Sequence, residues 1–238
     1  MLSIIIPTLN EEKYLPGLLR SLKRQSFKDF EVIVSDGGSE DKTRSIVQEN
    51  GFKLVEGRKE KRHPSIQRND GAKIAQGEIL LFLDADTILP DDYFLEKTVE
   101  SFQERKLGVA GFYMDFKSNK FFYKFYYCFY NSIAFLAQYF FPLAVGAGII
   151  VKKVWHEKVK GFDEKIFIGE DHDYCKKIAK LDKFRIIKTT KIFFSIRRFE
   201  KEGPWKLLGK MIYSAFYVFI FGSIKKRIVK YDFGEYVD

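Results

Sequence analysis

The sequence predicts an α/β fold, in which a mostly parallel sheet is flanked by helices and followed by an aromatic-rich helical part. Short apolar runs alternate with polar, helix-like segments through the first half of the chain. This order is typical of parallel strands joined by right-handed helical crossovers. The apolar runs are continuous rather than alternating, which indicates that the strands are buried on both faces.

Four strands with intervening helices are expected in the first half. The strands are SIIIPT, FEVIVSD, FKLVEG and EILLFLDAD. The first helix lies in NEEKYLPGLLRSLKRQ, with Asn10 as its candidate N-cap. Its apolar face is formed by Leu15, Leu18, Leu19 and Leu22. Two further helices are expected in GGSEDKTRSIVQEN and SIQRNDGAKIAQG.

The middle of the chain is aromatic and uncharged. Twelve aromatic residues lie between Phe121 and Phe141, and no charged residue occurs from Phe125 to Val151. That length would permit a membrane span, but Pro142 and the GAG at 146–148 interrupt it. We therefore expect a helix to about Phe141 and then a buried strand in LAVGAGIIV.

Four polar residues within this segment are spaced 4, 7 and 7 apart, which predicts a polar stripe along one helix face. They are Lys120, Lys124, Asn131 and Gln138. Two interpretations of the aromatic residues stay open. They could form core, or they could lie in a membrane interface.

The C-terminal part combines an apolar run with basic flanks. Residues 211–224 are uncharged, which is short for a span of roughly twenty residues. Lys206, Lys210 and the KKRIVK at 225–230 flank them. This pattern favours a helix on an anionic membrane surface over packing against the domain. We expect a domain over 1–202, with a nucleotide-binding half to about 116 and an acceptor half over 117–202, and an amphipathic helix over 203–238.

Composition narrows the class of partner. The net charge of +9 favours anionic partners such as lipid or phosphorylated small molecules. Nucleic acid is not expected, because no binding signature for it is present. Cys128 and Cys175 are too few and too far apart for a disulfide framework or a zinc site. No signal peptide is expected, and the predicted location is cytoplasmic, with peripheral contact at the inner membrane face.

Polar clusters follow three of the predicted strands. They are Pro7-Thr8-Leu9-Asn10-Glu11, Asp36-Gly37-Gly38-Ser39 and Asp84-Ala85-Asp86. In a parallel sheet all three would lie at the carboxyl edge, where open α/β sheets bind ligands.

Asp84 and Asp86 are the strongest metal candidates. In an extended segment two residues at i and i+2 point the same way, and their repulsion would raise one pKa unless a cation intervened. Mg²⁺ or Mn²⁺ would satisfy both carboxylates and bridge substrate phosphates. The alternative is that one aspartate caps the following turn, aided by Thr87 and Pro90.

Other residues have a ligand-binding and a structural interpretation. Gly37 would let a ligand approach the backbone, and Asp36 could accept hydrogen bonds from a nucleobase, but both also suit an ordinary turn. Arg68 could contact a nucleotide phosphate. Glu170 and Asp171 are expected in the first turn of a helix, where the helix dipole favours acids; the functional interpretation is a general base. His172 is interpreted as structural.

Five ordered blocks of this sequence resemble the family 2 glycosyltransferases, which invert the anomeric carbon and have the GT-A fold. The blocks are IIIPTLNEEKYLPGLLRSL, VIVSDGGSEDKT, RNDGAKIAQGEILLFLDADT, GAGIIVKK and GFDEKIFIGEDHDYC, from about Met1 to Lys180. The segment FFSIRRFEKEGPWK is similar to one in a small-protein branch, with some similarity to polyprenyl- and dolichyl-phosphate sugar transferases.

The resemblance implies roles for individual residues. The nucleotide-sugar would be bound by Pro7, Thr8, Glu11, Asp36, Gly37, Arg68, Asp84 and Ala85. Asp86, with Asp84, would bind Mg²⁺ or Mn²⁺ at the donor diphosphate. Asp171 would be the catalytic base, with Glu170 its nearest competitor, and Arg197 and Arg198 would bind phosphate.

The expected function is metal-dependent, inverting transfer of a sugar from a UDP- or GDP-sugar to a saccharide hydroxyl or a polyprenyl phosphate. A nucleotidyltransferase is one alternative, although it normally has a Gly-rich loop where this chain has PTLNEE. A non-catalytic protein at the membrane surface, with or without nucleotide binding, is the other. No thermal shift with any nucleotide plus Mn²⁺ would favour a protein that binds only the membrane surface.

Overall fold

A computed structural model describes residues 1–57, 63–116 and 120–195, together with positions 200, 202, 203, 206, 209 and 213. Seven strands form one sheet: β1 (Leu2–Thr8), β2 (Phe30–Asp36), β3 (Lys53–Glu56), β4 (Ile79–Leu83), β5 (Val109–Phe116), β6 (Gly148–Lys152) and β7 (Phe184–Phe194). The helices with defined bounds are α1 (Leu15–Arg24), α2 (Thr43–Glu49), α3 (Pro64–Ile74), α4 (Phe94–Glu104), α5 (Phe121–Ala137), α6 (Lys153–Lys158) and α7 (Glu170–Ala179).

The predicted mostly parallel sheet is confirmed. Its strand order is β3-β2-β1-β4-β6-β5-β7. All neighbouring strands are parallel except β6, which runs antiparallel to both β4 and β5. Because β2, β1 and β4 are adjacent and parallel, the three polar clusters that follow them meet at one edge of the sheet.

Both faces of the sheet are buried, as the continuous apolar strands predict. Ile4 and Ile6 of β1 pack into the cluster on one face, whereas Ile5 packs into the cluster on the other. The four leucines predicted for the apolar face of α1 are all buried. Burial of such side chains supplies roughly 1.5–3 kcal/mol each.

The predicted N-cap of the first helix is wrong. Helix α1 begins at Leu15, with Tyr14 at the N-cap position. Asn10 lies before it in a left-handed conformation, with φ 53°, and its side chain accepts a hydrogen bond from the Glu40 amide at 2.9 Å. Asn10 thus joins the loop after β1 to the loop after β2, because a left-handed turn is a conformation that asparagine tolerates.

The strand predicted in LAVGAGIIV begins only at Gly148. The Gly148 amide donates to the Val145 carbonyl at 2.9 Å, which closes a turn just before β6. Helix α5 likewise ends at Ala137 rather than Phe141. No helix in the part of the chain that the structure describes is both long and apolar enough to cross a bilayer.

Helix α5 presents amide side chains to the sheet and many of its large apolar side chains to solvent. Asn131 and Gln138 are buried, whereas Lys120 and Lys124 are exposed, so the expected polar stripe is divided between two environments. Pairing between β5 and β6 stops at Gly111. Beyond that point the Asn131 side chain makes the hydrogen bonds that a neighbouring strand would make. It accepts from the Met114 amide at 2.9 Å and donates to the Met114 carbonyl at 2.8 Å.

Asn131→Leu is expected to destabilise the protein by about 1–3 kcal/mol, because the Met114 amide and carbonyl lose a buried partner. The neighbouring Ser132→Ala is the control. Its exposed hydroxyl donates only to the Cys128 carbonyl, so we expect a change within about 0.5 kcal/mol. Urea unfolding of the two variants measures the difference, and equal stability would contradict the role of Asn131.

Candidate active site

Arg68 of α3 joins two acidic segments that lie far apart in the sequence. Its Nη2 lies 2.9 Å from Asp84 Oδ1 and its Nη1 lies 3.1 Å from Glu170 Oε1. The side chain is only 3 % exposed. Burial opposes its charge, but Asp84, Glu170 and Asp171 together raise the pKa of Arg68. The guanidinium is therefore a fixed positive charge between the end of β4 and the start of α7.

The side chain of Arg68 is also held by packing. Its guanidinium carbon lies 5.4 Å from the centroid of the Phe162 ring. Gly146 packs directly against the guanidinium, because a Cβ at this position would come within 2.5 Å of Arg68 Nη2. Glycine is therefore required at 146 for the loop before β6 to pass this close to the arginine.

Asp171 lies in the first turn of α7 and is oriented by two backbone amides. Its Oδ2 accepts from the Gly146 amide at 2.7 Å, and its Oδ1 accepts from the His172 amide at 2.8 Å. Burial raises the pKa of Asp171. Burial and the neighbouring Asp171 raise the pKa of Glu170. The two carboxylates differ in their partners, since Glu170 contacts the Arg68 cation and Asp171 accepts from neutral amides.

The segment after β4 is a turn, so the premise that Asp84 and Asp86 lie in an extended segment is wrong. The Thr87 amide donates to the Asp84 carbonyl at 3.0 Å and closes the turn. This bond joins backbone groups, so the alternative in which an aspartate side chain caps the turn stays a prediction.

A divalent ion still fits the chemistry of this turn. No group of three or more His, Cys, Asp or Glu side chains suited to a metal occurs among the described residues. Asp84 and Asp86 offer carboxylate oxygens, and Mg²⁺ is commonly held by one or two carboxylates with the rest of its ligands from water and substrate phosphates. Asp84, which also contacts Arg68, and Asp86 are therefore the candidate ligands in this turn.

Asp36 organises the loop after β2. It is buried, and its Oδ2 accepts from the Gly38 and Ser39 amides at 2.9 and 2.8 Å. Its Oδ1 accepts from the hydroxyls of Thr8, at 3.2 Å, and Ser39. The structure thus brings Asp36 next to Thr8, as predicted for neighbouring strand ends. Its observed contacts hold the loop, and contact with a base stays a prediction.

The space beside Gly37 is filled by the protein itself. A Cβ at Gly37 would come within 1.9 Å of Gln67 Nε2, and Gln67 donates to the Thr8 carbonyl at 3.2 Å. The group that closely approaches Gly37 in this structure is therefore the Gln67 side chain. It is Gly38, with φ 91°, that has the left-handed backbone that glycine favours.

The remaining predicted residues differ in placement. Pro7 and Glu11 are buried at and just after the end of β1. The Ala85 side chain packs in the core. Arg197 and Arg198, like most of 203–238, lie outside the described residues.

Sequence analysis missed two residues that shape the site. Gln67 links the strand ends, and Asn69 holds the segment before α7 by donating to the Phe162 carbonyl at 2.9 Å and accepting from its amide at 2.9 Å. Their position beside Arg68 on α3 was the available signal. His172 packs edge-on against Phe141 at 4.4 Å. Burial lowers its pKa to about 4, which agrees with a structural role.

Comparison with known proteins identifies similar chains. Residues 3–160 match the model of Glycosyl transferase family 2. A Campylobacter jejuni GalNAc(5)-diNAcBac-PP-undecaprenol beta-1,3-glucosyltransferase is 39% identical over 90 residues, which are 36% of this chain and 29% of that protein. A dolichyl N-acetyl-alpha-D-glucosaminyl phosphate 3-beta-D-2,3-diacetamido-2,3-dideoxy-beta-D-glucuronosyltransferase from Methanococcus voltae is 29% identical over 198 residues, or 75% of this chain and 61% of that protein.

Solved structures share the fold. The mannosyltransferase PcManGT from Pyrobaculum calidifontis, in complex with GDP-Man and Mn²⁺, superposes with a TM-score of 0.69 at 21% identity, over 89% of this chain and 64% of that one. TarS 1-349 from S. aureus, in complex with UDP, gives a TM-score of 0.65 at 22% identity, over 84% and 62%. The matched part of the chain spans less than two thirds of each of these proteins. These likenesses confirm the GT-A fold.

Proposed function

The chain belongs to Glycosyl transferase family 2, and from this we propose that it transfers a sugar from a nucleotide-sugar to an acceptor at the edge formed by β1, β2 and β4. One observation supports this above the others. Arg68 gathers Asp84, at the end of β4, and Glu170, beside Asp171, around one buried cation. The candidate donor site and the candidate base are thus part of one network.

The donor is proposed to be a UDP- or GDP-sugar. Structures that share the fold were solved with UDP, with UDP-GlcNAc and with GDP-Man. The proposed acceptor is a saccharide hydroxyl or a polyprenyl phosphate. Relatives named for undecaprenol- and dolichyl-linked substrates support the lipid-linked class. The roles of Arg197 and Arg198 as phosphate ligands belong to the same proposal.

Asp86, with Asp84, would hold Mg²⁺ or Mn²⁺. A divalent ion there supplies positive charge that stabilises the diphosphate as it leaves. Two fold relatives were solved with Mn²⁺. Arg68 would hold Asp84 in place beside the donor, since the neighbouring carboxylates favour the charged guanidinium despite its burial.

Asp171 is the proposed general base. It would accept the proton of the acceptor hydroxyl as the oxygen attacks the anomeric carbon from the face opposite the nucleotide, which inverts that carbon. The raised pKa of Asp171 makes its carboxylate a stronger base than an ordinary aspartate. Glu170 is less suited, because its carboxylate is paired with the Arg68 cation at 3.1 Å.

Asp86→Ala is expected to abolish the Mn²⁺-dependent rise in melting temperature that a UDP- or GDP-sugar produces. A ligand present at 100 times its Kd stabilises the folded state by about 2.7 kcal/mol, so loss of metal-assisted binding is measurable in a donor panel. Asp92→Ala is the matched control, because Asp92 makes only an exposed ion pair with Arg24. A full Mn²⁺-dependent shift in Asp86→Ala would rule out Asp86 as a ligand.

A further inference from the structure

One face of α5 and the turn after it forms a continuous apolar stripe on the surface. The stripe is Phe121, Phe125, Phe129, Ile133, Leu136 and Phe140. The residues are three or four positions apart, so they lie on one side of the helix. Phe121 is 83 % exposed and Phe140 is 92 % exposed. Exposed apolar patches of this kind mark surfaces that contact another apolar body.

The orientation of α5 is fixed by the opposite face. Asn131 pairs with the backbone of Met114, and Gln138 accepts from the Ile186 amide at 3.1 Å. Tyr123 and Tyr126 pack on that side against Phe116. Rotating the helix to bury the stripe would break these buried contacts. The exposed stripe is therefore a property of the folded domain.

The helix that carries the stripe contains no acidic residue, and the nearby Asp115 of β5 is paired with Lys191. No Asp or Glu occurs between Phe116 and His156, and β7, which packs beside α5, has only Arg185, Lys188 and Lys191 as charged residues. Lys188 Nζ lies 3.4 Å from the centroid of the Phe135 ring, and the Arg185 guanidinium lies 4.4 Å from that of Tyr139. Cations thus lie directly beside the aromatic side chains.

We propose that this stripe lies in the interface of a bilayer with anionic headgroups. An aromatic face rimmed by Lys and Arg gains both from burying apolar surface and from attraction to anionic lipid. A second copy of the chain would bring two basic rims together, which is unfavourable. The chain's own KKRIVK segment at 225–230 is basic as well, so the charge of the rim does not attract it.

The stripe is close to the candidate base. It ends at Phe140, and the adjacent Phe141 packs on His172, which follows Asp171 in α7. A chain lying on the bilayer along α5 would hold Asp171 near the headgroups. If the proposed transfer is correct, on which this step rests, the acceptor is a lipid-linked phosphate or sugar that reaches Asp171 from the membrane.

Vesicle binding of the full-length protein tests the surface. Cys128 of α5 is exposed and Cys175 is buried, so an environment-sensitive dye can be attached at Cys128. We expect a blue shift of its emission with vesicles of phosphatidylglycerol and phosphatidylcholine, and a much smaller one with phosphatidylcholine alone. A label placed by Val154→Cys in a Cys128→Ser background is the control, and it should not shift. No shift at Cys128 would overturn the proposal.

Paired variants then assign the binding to the stripe. Phe125→Ser with Phe129→Ser is expected to weaken sedimentation with anionic vesicles by at least about tenfold. The matched control is Ile74→Ser with Val154→Ser, which removes two exposed apolar side chains elsewhere and should bind as the wild type does. If the first pair fails to fold, Phe140→Ser replaces it. Unchanged vesicle binding in the stripe variant would overturn the proposal. So would a wild type that is a dimer in solution and a stripe variant that becomes a monomer without losing vesicle binding.

Donor cleavage separates this proposal from the proposed function. Nucleotide release without vesicles is expected to be the same in the stripe variant and the wild type, whereas transfer to a lipid-phosphate acceptor in vesicles should fall with binding. A wild-type protein that binds vesicles but cleaves no donor would contradict the transferase and leave the membrane surface standing. Equal lipid-linked transfer in both proteins would overturn the acceptor route.

Discussion

Asp171→Asn is expected to lower the turnover of sugar transfer by about 10²–10⁴-fold, the usual contribution of a general base, while donor binding stays unchanged. Asparagine keeps one oxygen for the Gly146 amide, which now lies 2.7 Å from Asp171 Oδ2, and loses only the acceptor for the His172 amide, so most of the site should keep its shape. It cannot accept the acceptor's proton. Steady-state kinetics with thermal-shift binding of the donor separates the two effects.

Glu170→Gln is the matched control for Asp171→Asn, because it neutralises the neighbouring carboxylate. Its effect should be smaller and should include altered donor binding, since Glu170 is a partner of Arg68. If Glu170→Gln loses turnover with normal binding while Asp171→Asn stays active, the assignment of the base is reversed.

Asp171→Asn should also stabilise the fold. Burial raises the pKa of Asp171, so between its ordinary and raised pKa the folded state binds more protons than the unfolded state. Stability from this group is therefore lost as pH rises through that window. Asparagine does not acquire the buried charge that forms on Asp171 as pH rises through this window, so above it we expect the melting temperature of Asp171→Asn to exceed that of the wild type, with the difference shrinking as pH falls.

Arg68→Met is expected to have the largest effect on the site as a whole. It leaves Asp84 and Glu170 without their shared cation, and removing one partner of a buried ion pair costs about 3–5 kcal/mol. Since Asp84 is partly exposed, the loss should lie at the lower end of that range. Transfer should fall together with stability, because Asp84 and the start of α7 lose their common anchor.

Arg68→Lys and Arg24→Met serve as controls for this prediction. Lysine supplies the charge but not the planar fork that reaches two carboxylates, so its effect should be intermediate. Arg24 makes an exposed pair with Asp92 at 3.2 Å, for which roughly 0–1 kcal/mol is expected. Urea unfolding in which Arg68→Met is no less stable than Arg24→Met would contradict the bridging role.

The sequence predicted those features that depend on local pattern. Continuous apolar runs defined β1, β2 and β4, and their alternation with helices placed Thr8, Asp36 and Asp84 at one edge. The antiparallel β6 was not predictable in this way, because its partners are set by pairing between distant strands. The contact of Arg68 with Glu170, 102 positions away, is long-range for the same reason.

Local pattern also misled where tertiary contacts decide the outcome. Asn10 has the residue type of an N-cap but bonds to the loop after β2. The polar residues of α5 predicted a single stripe, yet Asn131 is buried because β5 has no strand partner on its β6 side at Met114. The aromatic residues around it could not be divided into core and surface until the sheet was in place.

Release of a nucleoside diphosphate from UDP- and GDP-sugars with Mn²⁺ tests the central claim most directly. The wild type is expected to release the nucleotide from at least one donor, faster with a hydroxyl acceptor such as a lipid-linked sugar present. Asp171→Asn should bind the same donor yet release the nucleoside diphosphate at least about 10²-fold more slowly. Equal release by the two proteins, or no release by the wild type from any donor with any acceptor, would contradict the account.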